Sequence, residues 1–248
     1  MKTLFILTTG ISMIDKGRDK RKDFASYPFL SNPYTGKMTN FESIESHFSK
    51  EFNTDPWQPS YEVDPSQTIL DRAGAELRLL YFCRQKGLMP PDSENDILFI
   101  AFKRDEDQAV VAALKGAIQC LCNKKLLPSM NCQEILLDIS EKDATSFTQG
   151  LTELGKKMDD FPFTAYNSVY YAILGGMKGL LVYLAMNYLL VKAAFQRCRL
   201  DPTRFKGIPY LFEQSNELIL IEEDKGAIRV VTVPDQPVTV HYPVRPSS

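Results

Sequence analysis

Two short segments of this chain carry the residue types that hold an anion. In Leu174-Gly175-Gly176-Met177-Lys178 an apolar run ends in two glycines, and a lysine opens a long helical pattern. Glycine lets a backbone turn tightly and approach a ligand closely. The first turn of a helix offers unpaired N–H groups and a partial positive charge, to which Lys178 adds a full one. Together these groups suit a phosphate. The spacing is neither GxxxxGK[S/T] nor GxGxxG, and a plain strand-to-helix junction accounts for the same residues. The second segment, Gly10-Ile11-Ser12-Met13, follows the first apolar run and by itself is an ordinary loop. A third, Lys103-Arg104-Asp105-Glu106-Asp107, suits contact with a phosphate or a metal, and equally a solvated turn that caps the next helix.

Stronger enzyme signatures are missing from the sequence. There is no HExxH, no GxSxG and no zinc-ligand spacing, and the two histidines, His47 and His241, stand far apart. The five cysteines (Cys83, Cys120, Cys122, Cys132, Cys198) are odd in number, and Cys120-Leu121-Cys122 is one residue short of a CxxC pair. Reduced, buried thiols in a cytoplasmic protein fit that pattern. A formal net charge of -2 argues against indiscriminate binding to long nucleic acid. Residues 169–191 are apolar enough to suggest a membrane span, but Gly175, Gly176, Lys178 and Asn187 interrupt them and the first part reads as a strand. No membrane segment and no metal site are expected.

The elements that must position these loops alternate regularly. Residues 3–9 read as a buried strand. Residues 24–61, with Pro28, Pro33, Pro56 and Pro59, read as an insertion or flap. Asp64-Pro65 opens a helix that runs to about 86. Strands are then expected at 96–102, 134–139, 168–174, 209–212 and 217–222, with helices at 107–125, 144–158 and 177–197. Residues 227–233 and 238–242 read as a β-hairpin or arm, and 243–248 as a linker-like tail. Apolar strands alternating with helices predict an α/β fold with a mainly parallel, doubly wound sheet. Ligands bind such sheets at the carboxyl ends of the strands, where the Gly10, Lys103 and Gly175 segments all fall.

In this arrangement the chain resembles the CARF domains of type III CRISPR defence. The resemblance rests on five blocks in order: Thr8-Thr9-Gly10-Ile11-Ser12 closing the first strand; Gly74-Ala75-Glu76-Leu77 on the first long helix; residues 96–102 with their charged turn; residues 168–180 with Gly-Gly-x-Lys; and Pro209-Tyr210-Leu211-Phe212-Glu213 followed by Glu217-Leu218-Ile219. It covers most of residues 3–222 apart from the insertion. It implies a Rossmann-like ligand-binding domain over residues 1–222, with residues 223–248 as a β arm and tail. It further implies a cytoplasmic homodimer that binds a cyclic tetra- or hexa-adenylate across its two-fold axis, without a cofactor, and that controls an attached or separate antiviral effector. Thr9, Gly10, Ile11, Ser12, Met13, Lys103, Arg104, Gly175, Gly176, Met177 and Lys178 would bind the ligand.

Some members of that family cleave their ligand without a metal. A ribose 2′-OH attacks the adjacent phosphate and leaves a 2′,3′-cyclic phosphate. If this chain did so as a stand-alone ring nuclease, Ser12 would orient the phosphate and Lys178 would stabilise the developing charge. Where the family often carries Asn-x-Thr before Gly-Gly, this chain has Ala172-Ile173-Leu174, which bears on cleavage more than on binding. Arg104 and Arg197 have no histidine at the spacing of a HEPN nuclease. A third class, an unrelated Rossmann-like protein binding a mononucleotide, is also compatible with the layout.

Overall fold

The computed structural model describes residues 1–9, 74–90, 92–123, 125, 127–139, 143–174, 178–212 and 217–234. The insertion expected at 24–61, the helix start at 64–73 and the strand expected at 238–242 lie outside them.

The fold is α/β, built on one sheet of seven strands in the order β3-β2-β1-β4-β5-β6-β7. The strands are β1 (Lys2–Thr8), β2 (Glu94–Phe102), β3 (Met130–Leu137), β4 (Ser168–Ala172), β5 (Phe205–Phe212), β6 (Glu217–Asp224) and β7 (Ala227–Thr232). Pairing is parallel from β3 through β5 and antiparallel for β5–β6 and β6–β7. Residues 227–232 of the expected C-terminal arm thus form the outer strand of the main sheet.

The helices are α1 (Gly74–Gln85), α2 (Asp105–Asn123), α3 (Ala144–Asp159) and α4 (Lys178–Arg197). They cover both faces of the sheet, and the two-residue alternation of the strands decides which side chains meet which helices. Phe5, Leu7, Ile97, Phe99 and Ala101 join Leu77 and Leu80 of α1 and Val110, Leu114 and Ile118 of α2 in one core. Leu4, Ile6, Leu98, Ile100 and Tyr171 join Leu154 and Met158 of α3 and Leu180, Leu184 and Tyr188 of α4 in the other. Each such side chain contributes roughly 1.5–3 kcal/mol on burial. This explains why β1 and β2 read as unbroken apolar runs.

β3 begins at Met130, four residues before the expected start, because its first half does not depend on apolar burial. Asn131, Gln133 and Glu134 are exposed on this edge strand, and the backbone ladder to β2, from Asn95↔Met130 onward, holds them in line. α3 starts as its sequence suggests: the Asp143 carboxylate accepts from the Thr145 N–H at 2.9 Å.

Candidate functional site at the carboxyl ends of β1 and β4

β1 lies inside the sheet, paired in parallel with β2 on one side and β4 on the other. From β1 the next described helix, α1, packs on one face, while β4 leads into α4 on the opposite face. Between β1 and β4, therefore, the chain diverges to the two faces. Open α/β sheets form a crevice at such a point.

The β1–β4 ladder ends at Leu7↔Ala172. Just past it, the Leu174 N–H donates to the Thr8 Oγ1 at 2.9 Å. A side chain thus extends the connection past the ladder and fixes where the two following loops leave the sheet. Thr9 comes next, 3% exposed, and its hydroxyl has no hydrogen-bond partner among the described residues. A buried hydroxyl in that condition costs about 1–3 kcal/mol. Gly10, Ile11, Ser12 and Met13, and likewise Gly175, Gly176 and Met177, lie outside the described residues.

Lys178 is the first residue of α4 and is exposed. Among the described residues its ammonium makes no ion pair. No acidic residue stands in the first turn of α4 to neutralise the helix start. The position of that helix start depends on Gly179, because a Cβ there would come within 2.6 Å of Phe147 Cζ on α3. Lys178 therefore brings a full positive charge to a partly positive helix end whose first turn carries no acidic residue.

Lys103 and Arg104 lie at the same edge of the sheet, but at the end of β2, one strand across β1 from β4. Arg104 Nε bonds to Asp107 Oδ2 at 2.6 Å, and Asp107 is buried. The guanidinium also lies over the Phe102 ring, 4.9 Å from its centroid. Arg104 is thus tied to the first turn of α2. The Lys103 backbone N–H donates to the Leu137 carbonyl at 2.8 Å. Its charge helps to lower the Glu153 carboxyl below the usual range, an effect due first to the hydrogen bond from Lys157. Of the expected ligand-binding residues that are described, Thr9 and Lys178 flank the β1–β4 boundary, and Lys103 and Arg104 stand to one side. Thr8 was missed as a site residue: a threonine closing an apolar strand carries no signal of a cross-strand bond.

The opposite edge of the sheet is built differently. Asp96 is buried, accepts from Tyr166 OH at 2.7 Å and pairs with Lys2 Nζ at 3.1 Å. Burial, and then the neighbouring Asp96, push the Tyr166 phenol above its ordinary range. A cavity of about 490 Å³ opens there, lined by Lys2, Asp92, Ser93 and Glu94 among others. Among the described residues no group of three or more His, Cys, Asp or Glu side chains could hold a metal ion.

Comparison with protein-family models and with curated proteins finds no match to this chain.

Proposed function

We propose that the chain is a Rossmann-like, CARF-type sensor that binds a cyclic oligoadenylate as a homodimer and thereby controls an attached or separate effector of type III CRISPR defence. One observation carries this reading. The segments that resemble the family's ligand loops leave from adjacent strands, β1 and β4, and the Thr8–Leu174 bond fastens their bases together. The same boundary carries Lys178, without an ion pair among the described residues, at a helix start. An anionic group held there would gain about 0.3–1 kcal/mol from the helix end, and a charge-assisted hydrogen bond about 1.5–3 kcal/mol.

Sensing is favoured over cleavage by the end of β4. Ala172 is buried, and Ile173 and Leu174 are half-buried apolar residues, so this stretch brings no polar side chain to align a ribose hydroxyl with a phosphate. The reading is tested by comparing cyclic tetra- and hexa-adenylate binding in the wild type and in Lys178→Ala. Loss of binding in the variant, with an unchanged melting curve, supports the reading. Undiminished affinity removes Lys178 from the site, and no binding by the wild type refutes the reading.

A further inference from the structure

α4 is long and apolar enough to cross a membrane by length and composition, but Leu180, Leu184 and Tyr188 build one face of it into the core. It does not cover the sheet evenly. Its second half lies over the start of β5, where the Tyr188 hydroxyl donates to the Phe205 carbonyl at 3.3 Å. The Phe195 ring meets the Phe205 ring edge-on there, with 5.0 Å between centroids. Its first turn leans the other way, toward α3, where Gly179 lies against the Phe147 ring. The helix therefore crosses the strands obliquely, and a wedge stays open between its amino end and the carboxyl end of β5.

Tyr210 and Phe212 form the β5 wall of that wedge. Strand alternation puts them on the same face as Ile208, which packs against the α4 core, while Leu211 between them belongs to the opposite core. β5 pairs with β4 only as far as Tyr170↔Gly207. Carried forward in equal steps, that register sets Tyr210 level with Ile173, already past the end of β4. The two rings meet edge to face at 5.1 Å and remain 47% and 46% exposed. Across the wedge stands Lys178 at its helix start. One wall is thus aromatic and the other cationic, and a nucleotide carries both complements in one molecule, a flat base and an anionic phosphate. We infer that the Tyr210–Phe212 pair is the base-binding wall of the candidate site, a base lying against these rings while its phosphate is held at Lys178. The inference deepens the functional reading and rests on it for the base being adenine, because aromatic stacking accepts every base. The apolar face continues onto β7 through Val230, 64% exposed, which the ladders place level with Ile208 and two strands farther from Lys178. Val230 therefore shares the face without sharing the wedge.

The test is calorimetric titration of the full chain with cyclic tetra-adenylate, cyclic hexa-adenylate and AMP. Tyr210→Ala and Phe212→Ala should each weaken binding about tenfold or more, with unchanged circular dichroism and unchanged mass by gel filtration. Tyr210→Phe should keep most of the affinity, and Val230→Ser all of it. A second measurement reads the stacking itself. Phe212→Trp combined with Trp57→Phe leaves one tryptophan in the chain, and its emission should be quenched as the ligand saturates. Undiminished affinity in both alanine variants overturns the inference, and so does saturation without a change in emission. Alanine variants that alter the mass of the protein but not its affinity would make this face a protein interface and also overturn it. The two readings fail separately. Ring binding that ignores the alanine variants spares the sensor and sinks the aromatic wall. AMP bound in place of any ring, and weakened by the same variants, sinks the sensor and spares the wall. Binding of no nucleotide at all overturns both.

Discussion

The Leu174 N–H donates to the Thr8 hydroxyl across 2.9 Å, just beyond the last pair of the β1–β4 ladder. A hydroxyl acceptor here replaces the carbonyl that a longer strand would have provided. The two following segments therefore leave the sheet from a fixed base. Thr8→Val keeps the shape and removes the acceptor. We expect a loss of about 1–3 kcal/mol in chemical denaturation, the usual cost of stranding a part-buried N–H, together with weaker ring binding. Thr8→Ser should recover most of both. A Thr8→Val protein with unchanged stability and affinity would show that the bond does not hold the loops.

Lys178 is expected to behave oppositely, affecting binding and not stability. It is exposed and makes no ion pair among the described residues, so Lys178→Ala should leave the urea midpoint within experimental scatter. If its ammonium meets a ligand phosphate, the same change should weaken binding by about ten- to a hundredfold, equivalent to roughly 1.4–2.8 kcal/mol. Lys178→Arg should retain part of the affinity. Isothermal titration of the three proteins reads this directly.

At the far edge of the sheet, Tyr166→Phe removes the phenol that donates to the buried Asp96 carboxylate at 2.7 Å. Lys2 still pairs with Asp96, so the expected cost is about 1–2 kcal/mol. Ring affinity should not change, since this edge lies opposite the candidate site. A change in affinity without a change in stability would place the ligand at the wrong end of the strands.

Alkaline pH should destabilise the fold. Burial pushes the Cys122 thiol up to about 11 and Cys132 up to about 12, and the Tyr188 phenol up to about 12. Cys83 and Tyr171 move further in the same direction, again through burial. These groups stay protonated in the folded chain, whereas in the unfolded chain thiols titrate near 8.5 and phenols near 10. Their contribution is therefore complete below about pH 8.5 and declines as pH rises toward the folded values. Each fully buried group, such as Cys83, takes away about 1.4 kcal/mol per pH unit within its window. Cys122 and Cys132, half-buried, take away less because solvent screens them. Melting temperatures measured from pH 6 to 11 should be level to about pH 8 and then fall. A level profile to pH 11 would contradict the burial of these groups.

The sheet was legible in the sequence wherever burial alone makes a strand. The residues of β1 and of the second half of β2 are apolar because both faces are covered, and their boundaries came out within two residues. The start of β3 was not legible, because an edge strand held by its ladder needs no apolar side chains at Asn131 or Gln133. The place of β7 in the sheet was hidden for a related reason: all six of its residues are exposed, so nothing in their pattern says what they pair with. At the candidate site, the glycines and Lys178 announced a helix start near the end of a strand. The adjacency of β1 and β4 is long-range, and only the fold supplies it. In sequence, Arg104 fits either a ligand contact or a turn at a helix start; its engagement by Asp107 follows from their three-residue spacing.

The most direct test of the central claim is calorimetric titration of the wild-type chain with cyclic tri-, tetra- and hexa-adenylate, with ATP and AMP alongside, followed by chromatography of the recovered ligand. The expected result is tight binding of one ring size at one ring per two chains, with the ring recovered intact and no comparable affinity for the mononucleotides. Recovery of linear products would turn the sensor into a ring nuclease. Binding of a mononucleotide at one per chain, or no binding of any ring, would contradict the account and leave only the α/β fold and its β1–β4 crevice.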